Sequence, residues 1–331
     1  MTDIDLSIAL TDNVRTRPVI EGRVRAQGIR FLSSVMTASE MFLRQLKHAE
    51  FDVSEMSMSS LLIAVSRGDR RWAALPVYTA RSFFHTWGWV RRDRGIESPA
   101  DLRGKRVGVP EYQQTAAIWA RGILWHEFGV APHEVHWFME RTPDTSHGSA
   151  TGFTPPPGVT VEKIPASTNI GEMLTDGRLD ATLLYLNQPN LVDRSTIDLT
   201  ACEDVRPLFP DAMAEGRRFF AKTGLYPINH AMVMRRSLLE RHPWAAVNIV
   251  QAFEAAKAEA ARTALGVLDG FMRTGGLPAS LARLLRDDPM PYGIRAARPE
   301  LERIADWVFE QGLSPGRISL EEVFAPSTMS L

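Results

Sequence analysis

The chain holds a single cysteine, Cys202. That excludes an intrachain disulfide and any zinc site built on paired thiolates. With no catalytic signature around it, Cys202 reads as a small hydrophobe. Neither sign of charge is in surplus: 38 Lys and Arg against 39 Asp and Glu leave a formal net charge of −1. A protein without excess cations is poorly equipped to neutralise phosphates, so nucleic acid is not an expected partner. Long apolar runs are also missing. The longest, such as Leu61 to Val65, fall far short of the roughly 20 residues that cross a bilayer. The opening residues MTDIDLSIAL are acidic and pass straight into a strand-like alternation, unlike a signal peptide with its basic start and apolar stretch. These absences predict a cytoplasmic protein with a small ligand.

What is present is an ordinary globular composition, 44% hydrophobic and 23% charged over 331 residues, enough for two lobes with cores of their own. Ile4, Leu6, Ile8 and Leu10 alternate with polar or small residues and predict a strand ending at Thr11-Asp12-Asn13, with Arg15 and Arg17 just beyond. Residues 40–48 carry a helical period, 51–54 read as a strand, and Ser57 to Ser60 lead into the apolar helix at 61–65. Strand-like runs at 73–78 and 87–91 enclose the segment from Thr79 to His85. Further strands are expected at 106–109, 135–139, 159–164, 181–186 and 229–234, with helices from about Thr115, at 170–176 and from Pro243. Strands alternating with helices indicate α/β architecture. The segment from Thr142 to Gly158, rich in Pro, Gly, Ser and Thr, is expected to be an exposed loop.

ESPADLRGKRVGV followed by a helix resembles the hinge-crossing segment of type 2 periplasmic-binding-protein folds. HAEFDVSEMSMSSLL, LPVYTARSFFH, GVPEYQQTAAIWARGIL, YPINHAMVMRRSLLERHPW, PYGI and EQGL, in that order, resemble the 4,5-dihydroxyphthalate decarboxylases. The resemblance covers nearly the whole chain. It implies a two-lobed α/β fold with the ligand cleft between lobes, residues 1–97 plus 226–331 forming one lobe and 98–225 the other. The activity it implies is loss of carbon dioxide from a hydroxylated aromatic acid without an organic cofactor. Phe84 before His85 and the first loop, Thr11-Asp12-Asn13-Val14-Arg15-Thr16, depart from the family pattern.

Such a reaction needs a proton delivered to the ring carbon that bears the carboxylate, and groups that grip the ring on either side. Histidine suits that task, its unperturbed pKa being about 6.5. Of the 8 histidines, His85 and His230 lie in family-like motifs and are the expected acid/base pair, His85 ranked first. Either could equally be a buried structural histidine. Glu55, just past a strand, is expected to orient a histidine or accept a phenol proton, the bland reading being a charge at a helix start. Arg81 and Arg15 are the expected carboxylate clamps, since a guanidinium fork matches two oxygens. Ser57, Tyr112, Gln114 and Thr115 are expected to meet substrate oxygens at helix starts, with free backbone N–H groups helping; the alternative for Ser57 is a helix cap. His126, His133 and His136 lack the spacing of a metal site. His85, His230 and Glu55 would form a two-histidine, one-carboxylate set only if they converged, so no metal is assigned. The sequence leaves a homo-oligomer open. The competing hypothesis is a non-catalytic binding or sensor protein for a small aromatic carboxylate.

Overall fold

The computed structural model describes residues 3–278, 280, 281 and 288–331. In chain order its strands and α-helices are β1 (Ile4–Leu10), α1 (Arg17–Ile20), β2 (Ile29–Val35), α2 (Ala38–His48), β3 (Val53–Ser57), α3 (Met58–Ser66), β4 (Trp72–Arg81) and β5 (Trp89–Arg91). Then follow β6 (Arg106–Val109), α4 (Thr115–Phe128), β7 (His136–Met139), α5 (His147–Thr151), β8 (Val161–Lys163), α6 (Ile170–Thr175), β9 (Ala181–Thr182) and β10 (Val205–Pro207). The chain continues with α7 (Ala212–Thr223), β11 (Ile228–Arg235), α8 (Arg236–Arg241), α9 (Pro243–Arg273), α10 (Ile294–Glu310) and α11 (Leu320–Val323).

The strands form two sheets. One has the order β2-β1-β3-β11-β4, the other β10-β5-β9-β6-β7-β8. In the first, β1 runs parallel to β2 and β3, while β11 is antiparallel to both β3 and β4. In the second, β9, β6, β7 and β8 are parallel and β5 is antiparallel to its neighbours. The chain therefore changes sheet twice, between β4 and β5 and between β10 and β11. The first crossing lies earlier than the expected boundary at residue 97, because Trp89 to Arg91 pair with β9 and β10.

Burial follows place in the fold as much as composition, the central strand β3 being buried although it carries Ser54, Glu55 and Ser57. β3 is buried at every position and α3, apolar nearly all round, is buried from Met58 to Val65, as expected for elements covered on all sides. α4 is fixed between the two sheets. Trp119 Nε1 donates to the Ile228 carbonyl of β11 at 2.9 Å, and Gly122 permits close approach to α10. A Cβ on that glycine would lie 2.2 Å from the Trp307 ring, well inside van der Waals contact. The core residues of α9 end at Ala256, although the helix continues to Arg273. No helix among the described residues is long and apolar enough to cross a membrane.

Candidate active site

A cavity of about 360 Å³ lies where the two sheets face each other. Small-molecule sites span roughly 300–1,000 Å³. One wall comes from the start of α2 (Ala38, Ser39, Phe42), the end of β3 (Ser57), the end of β4 (Ala80, Arg81) and the start of β11 (Asn229, His230). The facing wall comes from the start of α4 (Gln114, Thr115, Ala116), from Arg141 and His147, and from Leu184 and Leu186. Phe84 and the half-exposed Trp87 complete it. The N-caps of α2 and α4, Thr37 and Gln114, make no side-chain capping bond. First-turn N–H groups lack intrahelical acceptors, so both helices direct positive dipole ends at the cavity. Ser57 Oγ and Thr115 Oγ1, 2.9 Å apart, join the two walls.

Behind this surface sits a histidine–carboxylate pair. His230 Nδ1 lies 3.1 Å from Glu55 Oε2, and since a carboxylate only accepts, Nδ1 carries a proton. His230 Nε2 is left beside Asn229 Nδ2, at 2.9 Å, on the cavity side. Glu55 is fully buried. Its Oε1 accepts from Thr11 N (2.7 Å) and Thr11 Oγ1 (2.6 Å), and its Oε2 also accepts from Thr79 Oγ1 (2.5 Å). Burial acts to raise the Glu55 carboxyl. The bonds from His230, Thr11 and Thr79 outweigh it and hold the group below the ordinary glutamate range. The buried carboxylate is thus ionised and aimed at one imidazole.

A second histidine reaches the cavity. Phe42 lies between the two, its ring centroid 4.7 Å from His230 and 5.9 Å from His147. His147 Nε2 donates to the Ser39 carbonyl at 3.1 Å, while Arg141 Nη1 lies 3.4 Å from the ring nitrogens. Burial, then the Arg141 charge, lowers the His147 pKa to about 3. His147 is a neutral hydrogen-bonding wall, unsuited to carrying an extra proton near neutral pH. Arg141 is itself buried and paired with Asp193 at 2.8 Å, and its Nη2 donates to Ser39 Oγ at 2.8 Å. Glu111 holds the start of α5, accepting from Ser146 Oγ and His147 N, both at 3.1 Å.

A curated protein of Comamonas testosteroni named 4,5-dihydroxyphthalate decarboxylase is 31% identical to this chain over 338 aligned positions, covering 99% of this chain and 98% of that one. The chain belongs to the 4,5-dihydroxyphthalate decarboxylase family. A Pseudomonas putida protein of the same name is 38% identical over 183 positions, 55% of this chain and 71% of the relative. No family model matches the chain. Among solved structures, the alkanesulfonate-binding protein SsuA from Xanthomonas axonopodis pv. citri aligns with a TM-score of 0.57 at 15% identity, over 99% of this chain and 98% of its own. The desulfurization enzyme DSZB aligns with a TM-score of 0.53 at 15% identity, over 98% and 97%. At such identities the likeness shows the fold alone: the two-lobed α/β architecture of periplasmic binding proteins, here in a decarboxylase family.

Of the residues expected at the site in this family member, the structure brings His230, Ser57, Gln114 and Thr115 to the cavity wall, with Glu55 directly behind His230. His85 is elsewhere. It is fully buried among Phe83, Phe209 and Phe219, with Nε2 3.1 Å from Glu215 on α7. The metal set of His85, His230 and Glu55 therefore does not form, and among the described residues no group of three or more His, Cys, Asp or Glu could hold an ion. Tyr112 does not present its hydroxyl to the cavity. It packs against Trp137 and Phe153 under the Arg121 guanidinium, 3.7 Å from its ring centroid, and burial raises its phenol pKa. Arg81 borders the cavity, but its guanidinium is committed to Glu300 (3.1 Å) and to the carbonyls of Tyr226 and Pro291. Arg15 is also off the wall, donating to the Thr79 carbonyl at 2.6 Å.

Sequence reasoning missed Ser39, Arg141, His147 and Asn229. The last was within reach, since it adjoins His230 in the YPINH motif. His147 was hidden because its segment has loop composition. A signal was available in Ser146, which caps α5 by accepting from Gly148 N.

Proposed function

We propose that this protein decarboxylates 4,5-dihydroxyphthalate or a close hydroxylated aromatic acid in the cavity between its sheets, with His230 as the proton-transferring group. Family membership supports the reaction class. The observation that carries the residue assignment is the buried Glu55 carboxylate bonded to His230 on the cavity wall.

In this reading the aromatic ring lies against Phe42 and the apolar residues Leu184 and Leu186. A carboxylate meets the open starts of α2 and α4, where the Thr115 and Ser57 hydroxyls also lie. Protonated His230 delivers its Nε2 proton to the ring carbon that bears the leaving carboxylate. The carbon–carbon bond then breaks, its electron pair returns to the ring, and carbon dioxide departs. Solvent reprotonates the imidazole. Glu55 keeps the ring oriented and stabilises its cationic form, as a carboxylate partner does for a general acid. Asn229 follows the change, since its amide can offer a donor or an acceptor to Nε2. The competing binding-protein reading rests on fold likeness alone.

The test is carbon dioxide release from 4,5-dihydroxyphthalate by the purified protein, followed with ultraviolet spectra of the ring product, with and without chelator. Release at catalytic turnover is expected. An aromatic acid bound and recovered intact would overturn the reading in favour of a binding protein.

A further inference from the structure

Glu55 has all of its acceptor capacity in use. An ionised carboxylate offers about four lone-pair positions. Thr11 N and Thr11 Oγ1 meet Oε1, while Thr79 Oγ1 and His230 Nδ1 meet Oε2. The last two compete for one oxygen, and the threonine is the nearer, at 2.5 Å against 3.1 Å. Thr79 is buried and is not on the cavity wall. Its carbonyl is gripped by Arg15 Nη2 at 2.6 Å, so the strand end that carries the hydroxyl is fixed. A donor on a carboxylate oxygen stabilises the charged form and leaves less negative potential for a neighbour on the same oxygen.

We propose that Thr79 is a positioning residue for proton transfer at His230, its hydroxyl limiting how much of the Glu55 charge the imidazole receives. The proposal rests on the reading of His230 as the proton-transferring group. Thr79→Val alters none of the other ionisable groups around the dyad. His147 faces His230 from α5 with Arg141 beside it. Arg15 and Tyr292 lie near Glu55, and Arg81 on β4 is held by Glu300.

Thr79→Val keeps the side-chain shape and removes the donor. The dyad then becomes more basic, so the limb of the kcat/KM profile that reports His230 moves to higher pH. The expected shift is roughly half to one pH unit, the value of one hydrogen bond. Thr79→Ser restores the wild-type profile, and Thr79→Cys, a weaker donor, falls between. The second readout is the titration of His230 itself, followed by NMR in protein labelled at the histidine nitrogens, which does not depend on activity. Superimposable wild-type and Thr79→Val curves in folded protein would overturn the proposal. If Thr79→Val does not fold, the Ser and Cys variants decide: equal His230 midpoints for the two would overturn it. A His230 midpoint that moves in a protein unable to decarboxylate would leave the coupling standing and remove the catalytic reading beneath it.

Discussion

Among the described residues two buried histidines pair with glutamates, His230 with Glu55 and His85 with Glu215, each 3.1 Å apart, while a third pair, His126 with Glu310, is half-exposed. Both buried histidines lie in segments that resemble the family. Their surroundings separate them. His230 sits on the cavity wall, and its glutamate has only neutral donors besides the imidazole. His85 is enclosed by Phe83, Phe209 and Phe219, and its glutamate is shared with Arg218. The bonds from Arg218 and His85 overcome burial and bring the Glu215 pKa down to about 2. A carboxylate already matched by a guanidinium has little to add to an imidazole, and an imidazole with no route to substrate transfers no proton. Access and the competing donors, rather than the histidine–carboxylate distance, separate the pair proposed to act on substrate from the one enclosed in the core.

The largest effect should come from exchanging the roles tested. His230→Gln keeps a donor for Glu55 but cannot carry the proton, and is expected to lower kcat by about 10²- to 10⁴-fold, the range for a positioned acid or base. His85→Phe should leave kcat within a few-fold of wild type. It should instead lower unfolding stability, by roughly 1–3 kcal/mol for a buried bond removed. Steady-state carbon dioxide release and denaturant unfolding of both variants would measure this. A collapse of kcat in a folded His85→Phe protein would break the contrast.

An acid titration sharpens it further. His147 has a folded-state pKa of about 3 against an ordinary 6.5. Between those values the unfolded chain binds a proton that the folded protein refuses. Its contribution to stability therefore falls as pH drops through that window, by about 1.4 kcal/mol per pH unit. Above pH 6.5 the histidine has no such effect. Glu215 acts lower down: its stabilisation is present above about 4.5 and lost as pH falls toward 2. The stability difference between His147→Gln and wild type should thus change between pH 6.5 and 3 and be flat above that range. A difference independent of pH would mean that the folded protein takes up the His147 proton as readily as the unfolded chain does.

Much of the fold is legible in the sequence because the strands carry their own periodicity. The expected strands at 4–10, 106–109 and 229–234 match β1, β6 and β11 to within a residue or so. β2 escaped because it is an exposed edge whose residues, IRFLSSV, show no clean alternation. Sheet membership is not local: nothing in Trp89 to Arg91 reveals that β5 pairs with strands from residues 181–207. Around the cavity, motif resemblance pointed to segments that reach its wall but not to which of their side chains face it. His85 and Tyr112 lie in expected motifs and turn into the core. Arg81 was expected to hold a substrate carboxylate, and a carboxylate does meet it, that of Glu300, 219 residues later in the chain. Such a partner is set by tertiary packing and leaves no trace near residue 81.

The smallest expected effect concerns how the two walls of the cavity are held together. Ser39, at the start of α2, meets Arg141 through its hydroxyl and His147 through its carbonyl. Both partners belong to the facing wall. Ser39→Ala removes only the hydroxyl contact, since the bond from His147 goes to the backbone. Arg141 keeps Asp193, so its charge stays compensated. The loss should be that of a single hydrogen bond, about 0.5–1.5 kcal/mol, felt in binding because the contact ties the two cavity walls together. KM should rise about 2- to 10-fold with kcat nearly unchanged, the pattern of an interaction made equally in ground and transition states. If kcat fell in parallel with kcat/KM instead, Ser39 would have to act in the transition state. The division of labour would then shift: His230 and Glu55 would no longer act alone, and the α2 start would belong to the reacting machinery together with them.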